Sequence, residues 1–154
     1  MIDNYTILLI EDDPNDVLFL KRALNKNAIH NPVSVLRDGE EAIAYLSGSG
    51  PYFDRVKYPF PKVIMLDLKM PRRGGLEVLE WLKEHPELRV IPTIVLTSSK
   101  INEDVIKAYG LGANSYMVKP SNFDDLQKLI KTAYEYWSLC LKPEPLPHNG
   151  ASGK

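Results

Sequence analysis

A chain of 154 residues with a formal net charge of −1 is long enough for one domain with a full hydrophobic core and carries no surplus of either sign. Without a basic excess or a long single-sign run it lacks the electrostatic footprint of a protein that grips nucleic acid or an anionic membrane. Cys140 stands alone, which excludes an internal disulfide, and the lack of a signal peptide or of an apolar run long enough to span a bilayer points to a cytoplasmic protein.

Taken in chain order, short apolar runs alternate with helical periodicities. Ile7-Leu8-Leu9-Ile10 reads as a buried strand that ends in Glu11-Asp12-Asp13. A helix is predicted from about Pro14 to Lys26: Asp13 can cap it, proline suits a first turn, and Val17, Leu20 and Leu24 recur at helical spacing. Val33-Ser34-Val35-Leu36 is a second short strand, and Asp38 with Glu40-Glu41 opens a second helix carrying Ala42, Ile43 and Leu46. Residues 47 to 61, rich in glycine, proline and aromatics, make a connection longer than the usual few residues. Val63-Ile64-Met65-Leu66 then leads to Asp67, and a third helix from about Gly75 to His85 stops before Pro86. Ile94-Val95-Leu96 leads to Thr97, and a fourth helix runs from about Asn102 to Tyr109 and ends in Gly110. Tyr116-Met117-Val118 leads to Lys119. The fifth helix starts near Ser121 or Asn122, with Phe123, Leu126, Leu129, Ile130, Ala133 and Trp137 on one face and Cys140 on the same stripe as a packed thiol. The tail from Pro143 to Lys154 is expected to be disordered.

Five βα units in sequence imply an α/β parallel sheet with helices on both faces, because each crossover is right-handed. In such a sheet the ligand site lies beyond the carboxyl ends of the strands, so Glu11, Asp12, Asp67, Thr97 and Lys119 are delivered to one small area. Carboxylates gathered in a cleft repel one another and must take up protons, pair with cations or bind a metal. Mg²⁺ is the economical partner, because it prefers oxygen ligands and takes only one or two carboxylates directly. Asp12 and Asp67 can supply those bonds, with Glu11 acting through a water and a backbone carbonyl from the loop after Asp67 completing the set. A metal beside Asp67 would screen it against an incoming phosphoryl group, while Lys119 and Thr97 contact the phosphoryl oxygens. These are the parts of a phosphoryl-acceptor site with Asp67 as nucleophile, since phosphoryl transfer needs mainly positioning and charge stabilisation.

Leu8-Leu9-Ile10-Glu11-Asp12-Asp13, Leu66-Asp67-Leu68-Lys69-Met70-Pro71 followed by Gly75, Val95-Leu96-Thr97-Ser98, Gly112-Ala113 and Val118-Lys119-Pro120 occur in that order. Over about residues 5 to 140 the chain thereby resembles the CheY-like receiver domains of bacterial response regulators. The resemblance implies a doubly wound, five-stranded parallel sheet of strand order 2-1-3-4-5, in one domain over residues 1–142. It implies phosphorylation of Asp67 by a sensor histidine kinase in a two-component phosphorelay, with Glu11 and Asp12 as the acidic pair and the Lys69 carbonyl as a metal ligand. Thr97 and Lys119 would be phosphoryl contacts, Tyr116 an aromatic switch, and the bond before Pro120 cis. The long connection after the second helix, the tryptophan in the last helix and the absence of an output domain look like the small receivers that partner phytochrome-type kinases. Gly74 departs from the Asp or Asn common in that loop. The residues two after the acceptor and two after the threonine, Lys69 and Ser99, tune dephosphorylation in the family, and a lysine there predicts a long-lived phosphoryl group.

Several apolar residues fall off the core stripes. Ile106 in the fourth helix and Leu139 in the fifth point away from the core faces, Tyr134 and Tyr136 flank the core face of the fifth, and together they mark a surface for a homodimer or a target; Leu18 on the first helix is a candidate for docking a kinase. Taken singly, Asp13 reads as a helix cap and keeps that reading; Lys119 alone would be a surface lysine, which its place beside Pro120 at a strand end outweighs; Thr97 could be a strand residue whose hydroxyl matters only with the rest of the site, and Tyr116 divides evenly between core and switch. A haloacid-dehalogenase-like phosphatase would need a second Asp where Lys69 stands, and a nucleotide-binding loop would not carry three acids after the first strand. A receiver-like module that binds partners without phosphorylation would be favoured by loss of the acids or the lysine, and none is lost. With no output domain, the signal would leave by protein contact or by onward transfer to a histidine phosphotransfer protein.

Overall fold

Period two along each strand decides how this fold is layered. Leu8, Ile10, Ile64, Leu66 and Val95 enter one apolar cluster, while their neighbours Ile7, Leu9, Val63, Met65, Ile94 and Leu96 enter another on the opposite face. Continuous branched runs are what a sheet buried on both faces requires. The computed structural model, which describes residues 4–143, places them as β1 (Ile7–Ile10), β2 (Val33–Leu36), β3 (Val63–Leu66), β4 (Thr93–Thr97) and β5 (Ser115–Val118). All pair in parallel in the order β2-β1-β3-β4-β5, with Ile7 beside both Val33 and Val63, and Val95 beside Tyr116. This is the doubly wound order expected, whose switch point lies between β1 and β3.

The helices are α1 (Pro14–Lys26), α2 (Gly39–Ser47), α3 (Gly75–Lys83), α4 (Pro86–Arg89), α5 (Asn102–Gly110) and α6 (Phe123–Leu139). Val17, Leu20 and Leu24 of α1 share a core with Leu126 and Ile130 of α6; Tyr45 and Leu46 of α2, Val78, Leu79 and Leu82 of α3 and Ala108 of α5 fill the other. Asp13 caps α1 by accepting from the Asn15 N–H (2.8 Å), and Asp38 caps α2 by accepting from the Glu41 N–H (2.9 Å). Of the two starts open for the last helix, Asn122 is the cap, accepting from the Asp125 N–H.

Three local expectations are corrected. Pro86 does not merely stop a helix. Helix α3 ends at Lys83, and proline at a first helical position starts the extra turn α4, whose Leu88 and Arg89 N–H groups donate to the His85 carbonyl. The fourth predicted helix, α5, runs through Gly110, and the left-handed residue is Gly112 at φ +103. Cys140 lies just past the last helical residue as its half-buried C-cap.

The cis bond implied before Pro120 is also corrected: no peptide bond among the described residues is cis. Trans is the cheaper isomer of an X–Pro bond, and here it leads directly from β5 to the Asn122 cap. The connection over 47–61 is ordered by α2 itself. Arg55 donates to the last carbonyls of that helix, Tyr45 O (2.7 Å) and Leu46 O (2.9 Å), and lies 4.1 Å from the Phe60 ring centre. Of the tail expected to be disordered, everything after Pro143 lies outside the described residues. Among the described residues no helix is long and apolar enough to cross a membrane.

Candidate functional site

Helices cannot begin until the chain has left the sheet, so each strand hands its next residues to the rim of the carboxyl edge. Glu11 and Asp12 follow β1, Asp67 follows β3, Thr97 ends β4 and Lys119 follows β5; the side chains of Glu11, Asp12, Asp67 and Lys119 come together, and the Thr97 carbonyl accepts from the Lys119 N–H. Glu11, Asp12 and Asp67 each offer a carboxylate oxygen within 4.8 Å of the others. Glu11 and Asp67 are buried and Asp12 is half-buried. Three hard oxygen donors at this spacing suit a divalent cation.

Lys119 crosses this cluster from the far side. Its Nζ donates to Glu11 Oε1 (2.5 Å), Asp16 Oδ2 (2.8 Å) and Asp67 Oδ2 (3.3 Å). Burial pushes the Glu11 carboxyl up, to about 7; the hydrogen bonds from Lys119 and the Asp13 N–H offset this only in part, and the Asp67 charge adds to it. Burial alone would lower the Lys119 ammonium, yet it is raised, because Asp16 and Glu11 bond it and Asp67 faces it. The lysine is thus held charged beside the Asp67 carboxylate. Thr97 is fully buried; its Oγ1 accepts from the Ser99 N–H (3.4 Å) and its carbonyl accepts from the Lys119 N–H (2.8 Å).

The loop after Asp67 is tied down on both sides. The Lys69 N–H points at Asp67 Oδ1 over 3.5 Å. Further on, Arg72, in a left-handed conformation at φ +63, pairs with Asp38 through Nε (2.9 Å) and Nη2, and Arg73 bonds Glu40 (2.8 Å). The Asp38 carboxyl lies below its ordinary value: burial works against this, and the Glu41 N–H and Arg72 outweigh it. Gly75 is required by close approach, since a Cβ there would stand 2.3 Å from the Asp67 carbonyl oxygen.

Tyr116 is half-buried on β5; its hydroxyl donates to the Ser99 carbonyl (3.0 Å) and its N–H donates to the Tyr109 hydroxyl (3.1 Å). Ile106 (63%), Tyr136 (59%) and Leu139 (88%) are exposed. Tyr134, grouped with them in the sequence, turns inward: it packs against the α1–α6 core and donates to Asn31 Oδ1 (3.1 Å). Leu18 is exposed on α1. Sequence reasoning missed Asp16, which looks like any acid in a first helical turn, and the Asp38–Arg72 pair, which joins residues far apart in the chain.

The family model of the response regulator receiver domain matches residues 7–131. Response regulator Rcp1 from Synechocystis sp. is 38% identical over 131 residues, 85% of this chain and 87% of that protein. The crystal structure of the phosphorylated cyanobacterial phytochrome response regulator RcpA superposes with a TM-score of 0.84 at 34% identity, covering 92% of this chain and all of that one. The Mn²⁺-bound form of Rcp1 superposes with a TM-score of 0.82 at 36% identity, covering 91% of this chain and 99% of that one. With this fold, this acidic pocket and these relatives, the chain belongs to the response regulator receiver domains, signalling proteins that work through phosphorylation.

Proposed function

We propose that Asp67 is the residue phosphorylated, that Mg²⁺ is the working metal, and that the donor is a histidine kinase of the phytochrome type. The arrangement that carries this reading is Lys119 bridging Glu11 and Asp67 beside a three-carboxylate pocket. In the forward step an Asp67 oxygen bonds to phosphorus as the phosphorus–nitrogen bond to the donor histidine breaks, and the electron pair leaves with the imidazole. Glu11, Asp12 and Asp67, with the Lys69 carbonyl, would hold the metal, which when bound supplies positive charge to the transferring oxygens. Lys119 keeps one phosphoryl oxygen neutralised and exchanges part of its hold on Glu11 for it, while Thr97 turns its hydroxyl toward another.

The only chemistry proposed is phosphorylation and dephosphorylation of the chain itself. Rcp1 and RcpA, the latter a phytochrome response regulator, support the choice of kinase. Movement of Thr97 would shift Ser99, whose carbonyl holds Tyr116, and so bias the surface carrying Ile106, Tyr136 and Leu139. That surface is proposed to form a homodimer, and the signal to leave by protein contact or through a histidine phosphotransfer protein.

The test is intact mass after incubation with acetyl phosphate, with and without Mg²⁺, for the wild type and Asp67→Asn. Gain of one phosphoryl group that needs both the metal and Asp67 is expected. No gain in the wild type under either condition would replace this reading with a partner-binding module that works without phosphorylation.

A further inference from the structure

We propose that Asp104, in the first turn of α5, is a positioning residue that prolongs the life of the phosphoryl group by tying together the two loops at the mouth of the site. The inference rests on Asp67 being the acceptor. Asp67 follows β3 and Thr97 ends the neighbouring strand β4, so the residues two positions beyond them, Lys69 and Ser99, lie on adjacent loops at the carboxyl edge of the sheet. One carboxylate joins them: Asp104 Oδ2 accepts from Ser99 Oγ at 2.6 Å and lies 3.4 Å from the Lys69 ammonium. The side chain of Asp104 is only 13% exposed, whereas that of Lys69 is 62% exposed.

The bridge reaches the reacting groups through the main chain of the two residues it joins. Lys69 points its N–H at Asp67 Oδ1, and Ser99 points its N–H at Thr97 Oγ1. Ser99 is fixed on its other side as well, where its carbonyl accepts from the Tyr116 hydroxyl. Loss of the phosphoryl group requires a water whose oxygen bonds to phosphorus as the bond to the Asp67 oxygen breaks. The electron pair returns to the carboxylate, and the water proton passes to the departing phosphate. A tethered lysine and a tethered serine on adjacent loops narrow the approach of that water, and their tether comes from α5.

A simpler role competes with this one. Ser99 Oγ also accepts from the Ile101 N–H (3.3 Å), so Ser99 and Asp104 can be read as a cap on α5 alone. The two differ in their dependence on Lys69. A cap acts whether or not a lysine is present, whereas a bridge loses its effect once either end is gone.

The full chain is phosphorylated with acetyl phosphate and Mg²⁺, the donor is removed, and loss of the phosphoryl mass is followed for the wild type, Asp104→Asn, Lys69→Met and the double variant. Asparagine still accepts from Ser99 but no longer holds the ammonium, so its fold is preserved, and urea unfolding checks this. Asp104→Asn and Lys69→Met should each shorten the lifetime by about threefold to tenfold, with the double variant no faster than the faster single. An unchanged or longer lifetime in Asp104→Asn, or effects that multiply in the double variant, would overturn the bridge. If the wild type takes up no phosphoryl group, the acceptor reading falls and this inference with it; normal uptake with a wild-type lifetime in Asp104→Asn removes the inference alone.

Discussion

Gly75→Ala tests whether Asp67 is positioned by direct contact between its own main chain and the start of α3. A Cβ at that position would meet the Asp67 carbonyl oxygen at 2.3 Å and Leu68 Cα at 2.8 Å. The second distance falls about 1 Å short of an ordinary carbon–carbon contact. Two effects oppose each other. Alanine gains up to about 1 kcal/mol of helix propensity over glycine, and less at a first helical residue. Forcing an extra carbon into a packed site costs about 1–3 kcal/mol. Side-chain rotation cannot relieve this clash, because both atoms belong to a backbone held by the Asp67 N–H to Ile10 O and the Gly75 N–H to Leu68 O (3.0 Å each). The clash should therefore win, with a net loss of about 1–2 kcal/mol, read as a lower urea midpoint at unchanged slope. Displacement of Asp67 should also slow phosphorylation by acetyl phosphate. A variant as stable as the wild type, with the same uptake rate, would refute the claim that α3 is seated on the Asp67 main chain.

Other outcomes follow from the same geometry. Glu11 titrates near 7 in the folded chain against an ordinary value of 4.5, so the native state binds the extra proton between those values. Stability that this group contributes below pH 4.5 is then lost as pH rises through 7. In chelator, the wild type should lose on the order of 1–3 kcal/mol relative to Glu11→Gln between about pH 5 and pH 8 in urea melts, and equal slopes for the two would contradict it. Asp38→Ala removes the α2 cap and the Arg72 partner together, and should cost about 1–3 kcal/mol by the same measurement. Leu139→Asp and Ile106→Asp, both on exposed positions, should leave stability within about 0.5 kcal/mol of wild type while abolishing the proposed dimer in light scattering. A wild type that stays monomeric at high concentration would end the dimer proposal.

Which elements were legible depended on whether their signal was local. The apolar runs of three or four residues starting at Ile7, Val63 and Ile94 marked strands because burial on both faces leaves no room for polar alternation. Asp13 and Asp38 marked helix starts because a cap is made within three residues, and the last start was narrowed to Ser121 or Asn122. The turn α4 escaped notice because a proline that ends one helix also fits the start of the next. Tyr134 and Tyr136 are two residues apart on one helix, and spacing alone did not show that one bonds Asn31 while the other faces outward.

The identity of the site residues was local too: acids, threonine and lysine stand where four strands end, and parallel pairing brings all strand ends to one edge. By itself the sequence therefore determined the fold class, the acidic pocket and Lys119 opposite it. Only the tertiary structure decided which charges pair. Asp16 joins Lys119, Arg72 joins Asp38 across 34 positions, and Asp104 draws Lys69 and Ser99 together. Ion pairs and hydrogen bonds between distant segments depend on distances that no residue spacing encodes, whereas periodicity and capping are short-range and can be read along the chain.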